Sequence, residues 1–174
     1  DFLAENIQNA VDALENKFEE SDLEETPQIE IDIDTDEYIF TIRDNGEGIP
    51  EDIISKLGSP ANSNKEEGSK RGYKGVGLTY AAWSAEKFVF ETKRPSEDES
   101  IAGELDGGRQ WIEGDSDNYP VIDEINRSSD FLESQSSGTI FEFHLDETSS
   151  AIKFLQRLNE VGIKNLLKTK TAIG

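Results

Sequence analysis

Residues 28–50 read QIEIDIDTDEYIFTIRDNGEGIP. The segment QIEIDID alternates apolar with polar side chains, the signature of a half-buried strand, and EYIFTIRD follows at once as a second strand. The intervening TDE reads as a tight hairpin turn, so the two strands are expected to pair antiparallel. DNGEG then forms a glycine-rich turn, and Pro50, with Glu51 and Asp52 behind it, marks the start of a short helix through EDIISKLG.

Upstream, DFLAENIQNAVDAL opens a helix expected over roughly residues 2–20. At the 3.6-residue helical period, Leu3, Ile7, Val11, Leu14 and Phe18 form an apolar stripe, and Glu5, Asn9 and Asp12 form a polar one roughly opposite. Taken alone, such a polar stripe is a solvated face.

Downstream, residues 58–72 (GSPANSNKEEGSKRG) are polar and read as a loop. YKGVGLTYAAWSAEKFVFET then leads from a glycine-rich turn into a helix of about two turns and the strand KFVFET. AGELDGGRQWIEG and YPVIDEI are weaker strand candidates, and SGTIFEFHL is a strong one. The chain ends in a helix capped by Ser149 or Ser150, with Ile152, Leu155, Leu158, Val161 and Leu166 as its apolar positions. This order of elements predicts an α+β, two-layer sandwich with helices on one face of a mixed, mostly antiparallel sheet.

The 174 residues suit one domain of ordinary size. Thirty-eight acidic against 17 basic residues give a net charge of −21, which repels a phosphate backbone and disfavours nucleic acid as a partner. A single nucleotide remains compatible, because backbone N–H groups and a metal ion can hold its phosphates. Without cysteine there is no disulfide scaffold or thiolate metal site, and the lone His144 excludes a histidine-rich one. No apolar run approaches the roughly 20 residues that span a bilayer, and no signal-peptide pattern opens the chain, so a cytoplasmic setting without a membrane partner is expected. A start inside a helical pattern and the absence of methionine suggest a segment of a longer protein.

Each glycine cluster is ambiguous alone. Asp-Asn-Gly at a strand end is first of all a turn. Gly75 and Gly77 ahead of a helix suit a phosphate, yet such pairs also occur in many unrelated loops. Their order carries more: ExxxNAxDA on a helix, DNGEGI after a strand, GYKGVG after a polar loop and SGT opening a late strand. Over roughly residues 2–146 this series resembles the GHKL superfamily, the ATP-binding domain shared by DNA gyrase, ninety-kilodalton heat-shock chaperones, sensor histidine kinases and MutL-type repair proteins. LAENIQNAVDAL and GYKGVGLTYAAWSAEKFVFETK look most like the heat-shock-chaperone branch, whereas DNGEGIP looks more like gyrase.

The resemblance implies the Bergerat ATP-binding fold over residues 1–146, with 147–174 a C-terminal helix and the start of a linker to a following domain. It implies ATP and Mg²⁺ as cofactors. Asn9 matches the Mg²⁺ ligand, and Asp44 the acceptor of the adenine amino group. Gly46 and Gly48 would let the chain pass close to the base, with Ile49 and Ala13 as its apolar wall. Gly75, Val76 and Gly77 would present N–H groups to the phosphates, and Thr139 would reach the adenine directly or through water. Glu5 matches the general base of the hydrolysing branches, one helical turn from Asn9. Asp12 takes no direct chemistry.

Residues 58–72 would form the ATP lid, whose Lys65, Lys70 and Arg71, with Lys74 just beyond, either stay solvated or touch phosphates on closure. Nucleotide is expected to close the lid and favour a homodimer, and a basic residue from the following domain is expected to reach the γ-phosphate. The alternatives are a histidine kinase, disfavoured by Glu5 and by His144 lying within a strand, and a nucleotide sensor without turnover.

Overall fold

The computed structural model describes residues 2–19, 25–58, 76–149 and the single positions 153, 156, 157 and 162. Six strands within them form one sheet: β1 (Ile29–Asp34), β2 (Ile39–Asp44), β3 (Lys87–Lys93), β4 (Ile101–Asp106), β5 (Ile122–Glu124) and β6 (Gly138–His144). Their spatial order is β1-β2-β6-β3-β4-β5, and every pairing is antiparallel. The last strand thus lies between the hairpins β1-β2 and β3-β4 and joins them.

The register of these central strands explains the core. Phe40, Phe143 and Phe88 lie directly opposite one another across β2, β6 and β3, and Ile42, Phe141 and Phe90 make the next row. Directly paired residues share a face, so two apolar rows cross the sheet. The Phe88 and Phe143 rings sit 5.0 Å apart. Three helices cover this face: α1 (Phe2–Phe18), α2 (Glu51–Leu57) and α3 (Val76–Ser84). Ile7, Ala10, Leu57, Leu78, Ala81, Ala82 and Trp83 join the sheet residues in one buried cluster. Burying each large side chain contributes about 1.5–3 kcal/mol. Trp83 Nε1 also donates to the Leu57 carbonyl at 2.8 Å, tying α3 to the end of α2.

The two-layer α+β sandwich is therefore present, and its details differ from the sequence reading in four places. β2 starts at Ile39 because Glu37 and Tyr38 belong to the turn: Asp34 Oδ1 accepts from the Asp36 and Glu37 amides, and Tyr38 takes φ +60°. AGELDGGRQWIEG is only half strand, since Gly107 at φ +73° ends β4 and α4 (Gly108–Glu113) follows, setting Trp111 edge-on against Trp83. A short α5 (Asp130–Glu133), capped by Ser129 Oγ accepting from Leu132 N, was not anticipated. On α1 the buried positions include Asn6 and Lys17 beside Ile7 and Ala10, while Val11, Leu14 and Phe18 are only half-buried. The expected lid and the C-terminal helix lie outside the described residues, apart from the single positions named above.

Candidate functional site

One row beyond the two apolar ones, the same three strands place Asp44, Thr139 and Thr92 side by side. The apolar face of the sheet thus ends in a polar row that is itself buried, with Asp44 3% exposed. Buried polar groups belong either to closed hydrogen-bond networks or to sites that receive a ligand. Asp44 Oδ1 accepts from the Gly46 amide at 2.9 Å. Burial nevertheless pushes its pKa up to about 7, against the lowering effects of that amide and of the Lys17 charge.

The glycine turn is pressed between α1 and the sheet. A Cβ on Gly46 would lie 2.7 Å from the Ala13 Cβ and 2.8 Å from Asp44 Oδ1. Gly48 has φ +75°, and a Cβ there would collide with the Lys93 carbonyl. Three bonds fix the turn: Glu47 N donates to the Ala13 carbonyl at 3.2 Å, Ile49 N to Thr92 Oγ1 at 2.8 Å, and Ser137 Oγ to the Gly46 carbonyl at 2.6 Å. Ile49 is buried against the core.

On α1, Glu5 is exposed and Asn9 and Ala13 are half-buried at successive turns of one helix face. The glycine at position 77 lets α3 approach this face, since a Cβ there would lie 2.7 Å from Glu5 Oε2. The first turn of α3 has N–H groups without intrahelical partners and favours negative charge.

The residues expected from the sequence therefore fall into two touching groups. Ala13, Asp44, Gly46, Gly48, Ile49 and Thr139 gather at the polar end of the sheet, and Glu5 meets Gly77 at the start of α3. Asn9 stands between them along α1. Val76 begins α3, its side chain undescribed, and Gly75 lies outside the described residues with Lys65, Lys70, Arg71 and Lys74. Thr92, Ser137 and Lys17 escaped the sequence reading. The alternation of KFVFETK could have flagged Thr92, because it continues the face of Phe88 and Phe90 with a hydroxyl.

Comparison with known proteins gives the family. The family described as histidine kinase-, DNA gyrase B-, and HSP90-like ATPase matches residues 2–149. The chain belongs to that family. Its resemblance to the GHKL superfamily thus holds, and the chain is an HSP90-like ATPase domain. Among the relatives are the chaperone protein HtpG of Wolinella succinogenes, 30% identical over 180 residues, and that of Fusobacterium nucleatum subsp. nucleatum, 30% identical over 188. These alignments cover 92% and 96% of this chain but 26% and 28% of the relatives, so the chain spans about a quarter of their length. A third, HtpG of Helicobacter pylori, is 33% identical over 126 residues, 61% of this chain and 20% of its own. With chaperones as relatives, the histidine kinase is the less favoured alternative.

An ATPase domain of this family implies ATP and typically Mg²⁺. Among the described residues no group of three or more His, Cys, Asp or Glu side chains could cage a metal. The half-buried amide of Asn9 beside the exposed carboxylate of Glu5 suits instead a hard cation that takes one protein oxygen and completes its shell with water and phosphate. No helix among the described residues is long and apolar enough to cross a membrane.

Proposed function

We propose that this ATPase domain binds Mg²⁺-ATP between α1, the DNGEG turn and the start of α3, and hydrolyses it as part of a larger chaperone-like protein. The observation that most supports this is the buried polar row Asp44–Thr139–Thr92 ending an otherwise apolar sheet face, with the glycine turn pressed against it. Ionised Asp44 accepts a hydrogen bond from the adenine amino group, which selects against guanine because guanine carries a carbonyl there. Thr139 adds a hydroxyl on the same edge, and Ala13, Ile49 and the bare backbone of Gly46 and Gly48 wall the ring. The N–H groups of Gly75, Val76 and Gly77 receive the phosphates.

Asn9 would hold Mg²⁺, which would supply neutralisation of the phosphate charge. Glu5 takes a proton from the water that attacks the γ-phosphorus, while the bond to the β-phosphate oxygen breaks and ADP leaves. Its carboxylate lies against Gly77 at the start of α3, the helix end whose N–H groups would receive the phosphates. Residues 1–146 make up the binding domain, and residues 147–174 lead toward a further domain. Nucleotide closes the polar segment as a lid and favours pairing of two such domains, and a cation from the following domain completes the γ-phosphate site. The isolated chain therefore binds ATP better than it turns it over. We assign it to the cytoplasm, a setting that suits a chain with no cysteine.

Glu5→Ala tests the division of roles. ATP affinity should stay near wild type while phosphate release disappears; retained turnover would remove Glu5 as the base. ATP affinity unchanged by excess chelator would remove the Mg²⁺ role of Asn9.

A further inference from the structure

Lys17, on the C-terminal turn of α1, is a lysine where a core residue would ordinarily stand, with its side chain only 4% exposed. A buried ammonium is costly unless paired and hydrogen-bonded. Its Nζ donates to the Asn45 carbonyl at 2.8 Å and meets Glu25 Oε2 at 2.6 Å. Glu25 in turn accepts from the Ser136 amide at 3.0 Å and from its hydroxyl at 2.9 Å. Asn45 directly follows Asp44 and Ser136 shortly precedes Thr139, so the ammonium, directly and through Glu25, ties α1 to two of the three strands that carry the polar row.

We propose that Lys17 is a positioning residue for adenine recognition, holding the turn behind Asp44 in place and supplying a positive charge that favours the ionised Asp44 carboxylate over the protonated one as acceptor of the adenine amino group. The proposal rests on the adenine reading of Asp44 given above. Few other charges compete for this influence. Glu25 is bonded to Lys17 itself, and Glu47 in the turn accepts from Asn16. β6 and β3 offer only the hydroxyls of Thr139 and Thr92 on this face, since Glu142 of β6 and Glu91 and Lys93 of β3, like Arg43 of β2, alternate onto the opposite face of the sheet. Glu5 lies farther along α1, against Gly77. The Lys17 charge acts to lower the pKa of Asp44.

The sign follows directly. Removing the ammonium favours the protonated carboxyl, so the Asp44 titration midpoint rises, and ATP affinity falls wherever the pH lies below it. The experiment follows the Asp44 carboxyl by carbon-13 NMR in the nucleotide-free chain and measures ATP affinity by calorimetry over roughly pH 6 to 9. Lys17→Met should raise the midpoint by about one pH unit and weaken ATP about five-fold at about pH 7, approaching about ten-fold toward pH 6, with recovery at the alkaline end. Lys17→Arg should restore both. Glu25→Gln, which leaves the Lys17 charge less compensated, should move the midpoint the other way. That opposite shift decides the matter if Lys17→Met fails to fold.

An Asp44 midpoint unmoved in Lys17→Met or in Glu25→Gln would overturn the proposal, as would an affinity loss equal at every pH, which a purely structural role predicts. Asp44→Asn separates the two levels. If that variant binds ATP like wild type, the adenine reading fails, whereas its loss of binding alongside an unmoved midpoint in Lys17→Met removes Lys17 alone.

Discussion

Thr92 Oγ1 accepts the Ile49 amide at 2.8 Å and donates to the Gly138 carbonyl at 3.1 Å, so one buried hydroxyl on β3 fastens the glycine turn to the strand that carries Thr139. Thr92→Val keeps the shape but strands a buried N–H, a change that costs about 1–3 kcal/mol. Thermal or denaturant unfolding should show that loss together with weaker ATP binding, whereas Thr92→Ser should retain most of both. Equal stability of the valine variant would remove the hydroxyl from this role.

The glycine turn tolerates no side chain. Gly48→Ala combines a left-handed backbone with a collision against the Lys93 carbonyl, and Gly46→Ala forces the turn away from Ala13 and Asp44. Both variants should lose on the order of 2–4 kcal/mol in denaturant unfolding and bind ATP weakly, with Gly48→Ala the worse.

Stability should fall as pH rises through the window that Asp44 sets. Its pKa in the folded chain, about 7, stands above the ordinary 3.8, so the folded state holds a proton that the unfolded state releases. The stability this contributes is complete below the ordinary value and lost between there and about pH 7, roughly 4 kcal/mol in all. Glu142 works oppositely at lower pH. Its bond to His144, followed by the Arg127 contacts, outweighs burial and brings its pKa to about 2, so its contribution is present above 4.5 and lost as pH falls toward 2. Denaturant unfolding across pH should give a steeper decline toward neutrality in wild type than in Asp44→Asn. Parallel curves would contradict the raised value.

Much of this was legible in the sequence, and the exceptions have physical causes. Alternation in QIEIDID and SGTIFEFHL marks strands that bury one face or lie at the sheet centre, and the fold class followed from the order of such segments. RQWIE escaped because its helix is brief and is held by Trp111 packing on Trp83, a contact no local pattern records. The apolar stripe of α1 was misplaced for a related reason: Lys17 is buried through Glu25, eight residues on, and the Asn45 carbonyl just beyond β2, whereas periodicity counts a lysine as polar surface. The candidate site residues were read from motif order, and the hydroxyls that support them, Thr92 and Ser137, came only with strand register and turn geometry.

Variants of Glu5 and Asn9 test the proposed division between binding and turnover. Glu5→Gln keeps the size of the side chain and removes its basicity, and should lower phosphate release by about 10²-fold or more at unchanged ATP affinity. Asn9→Ala should instead weaken ATP only when Mg²⁺ is present, which calorimetry with and without chelator checks.

Calorimetric titration of ATP into the wild-type chain and Asp44→Asn tests the central claim most directly. The substitution replaces the acceptor carboxylate with an amide of the same size, and ATP binding should disappear while the fold persists by circular dichroism. Undiminished ATP affinity in Asp44→Asn would contradict the assignment of the buried polar row to adenine.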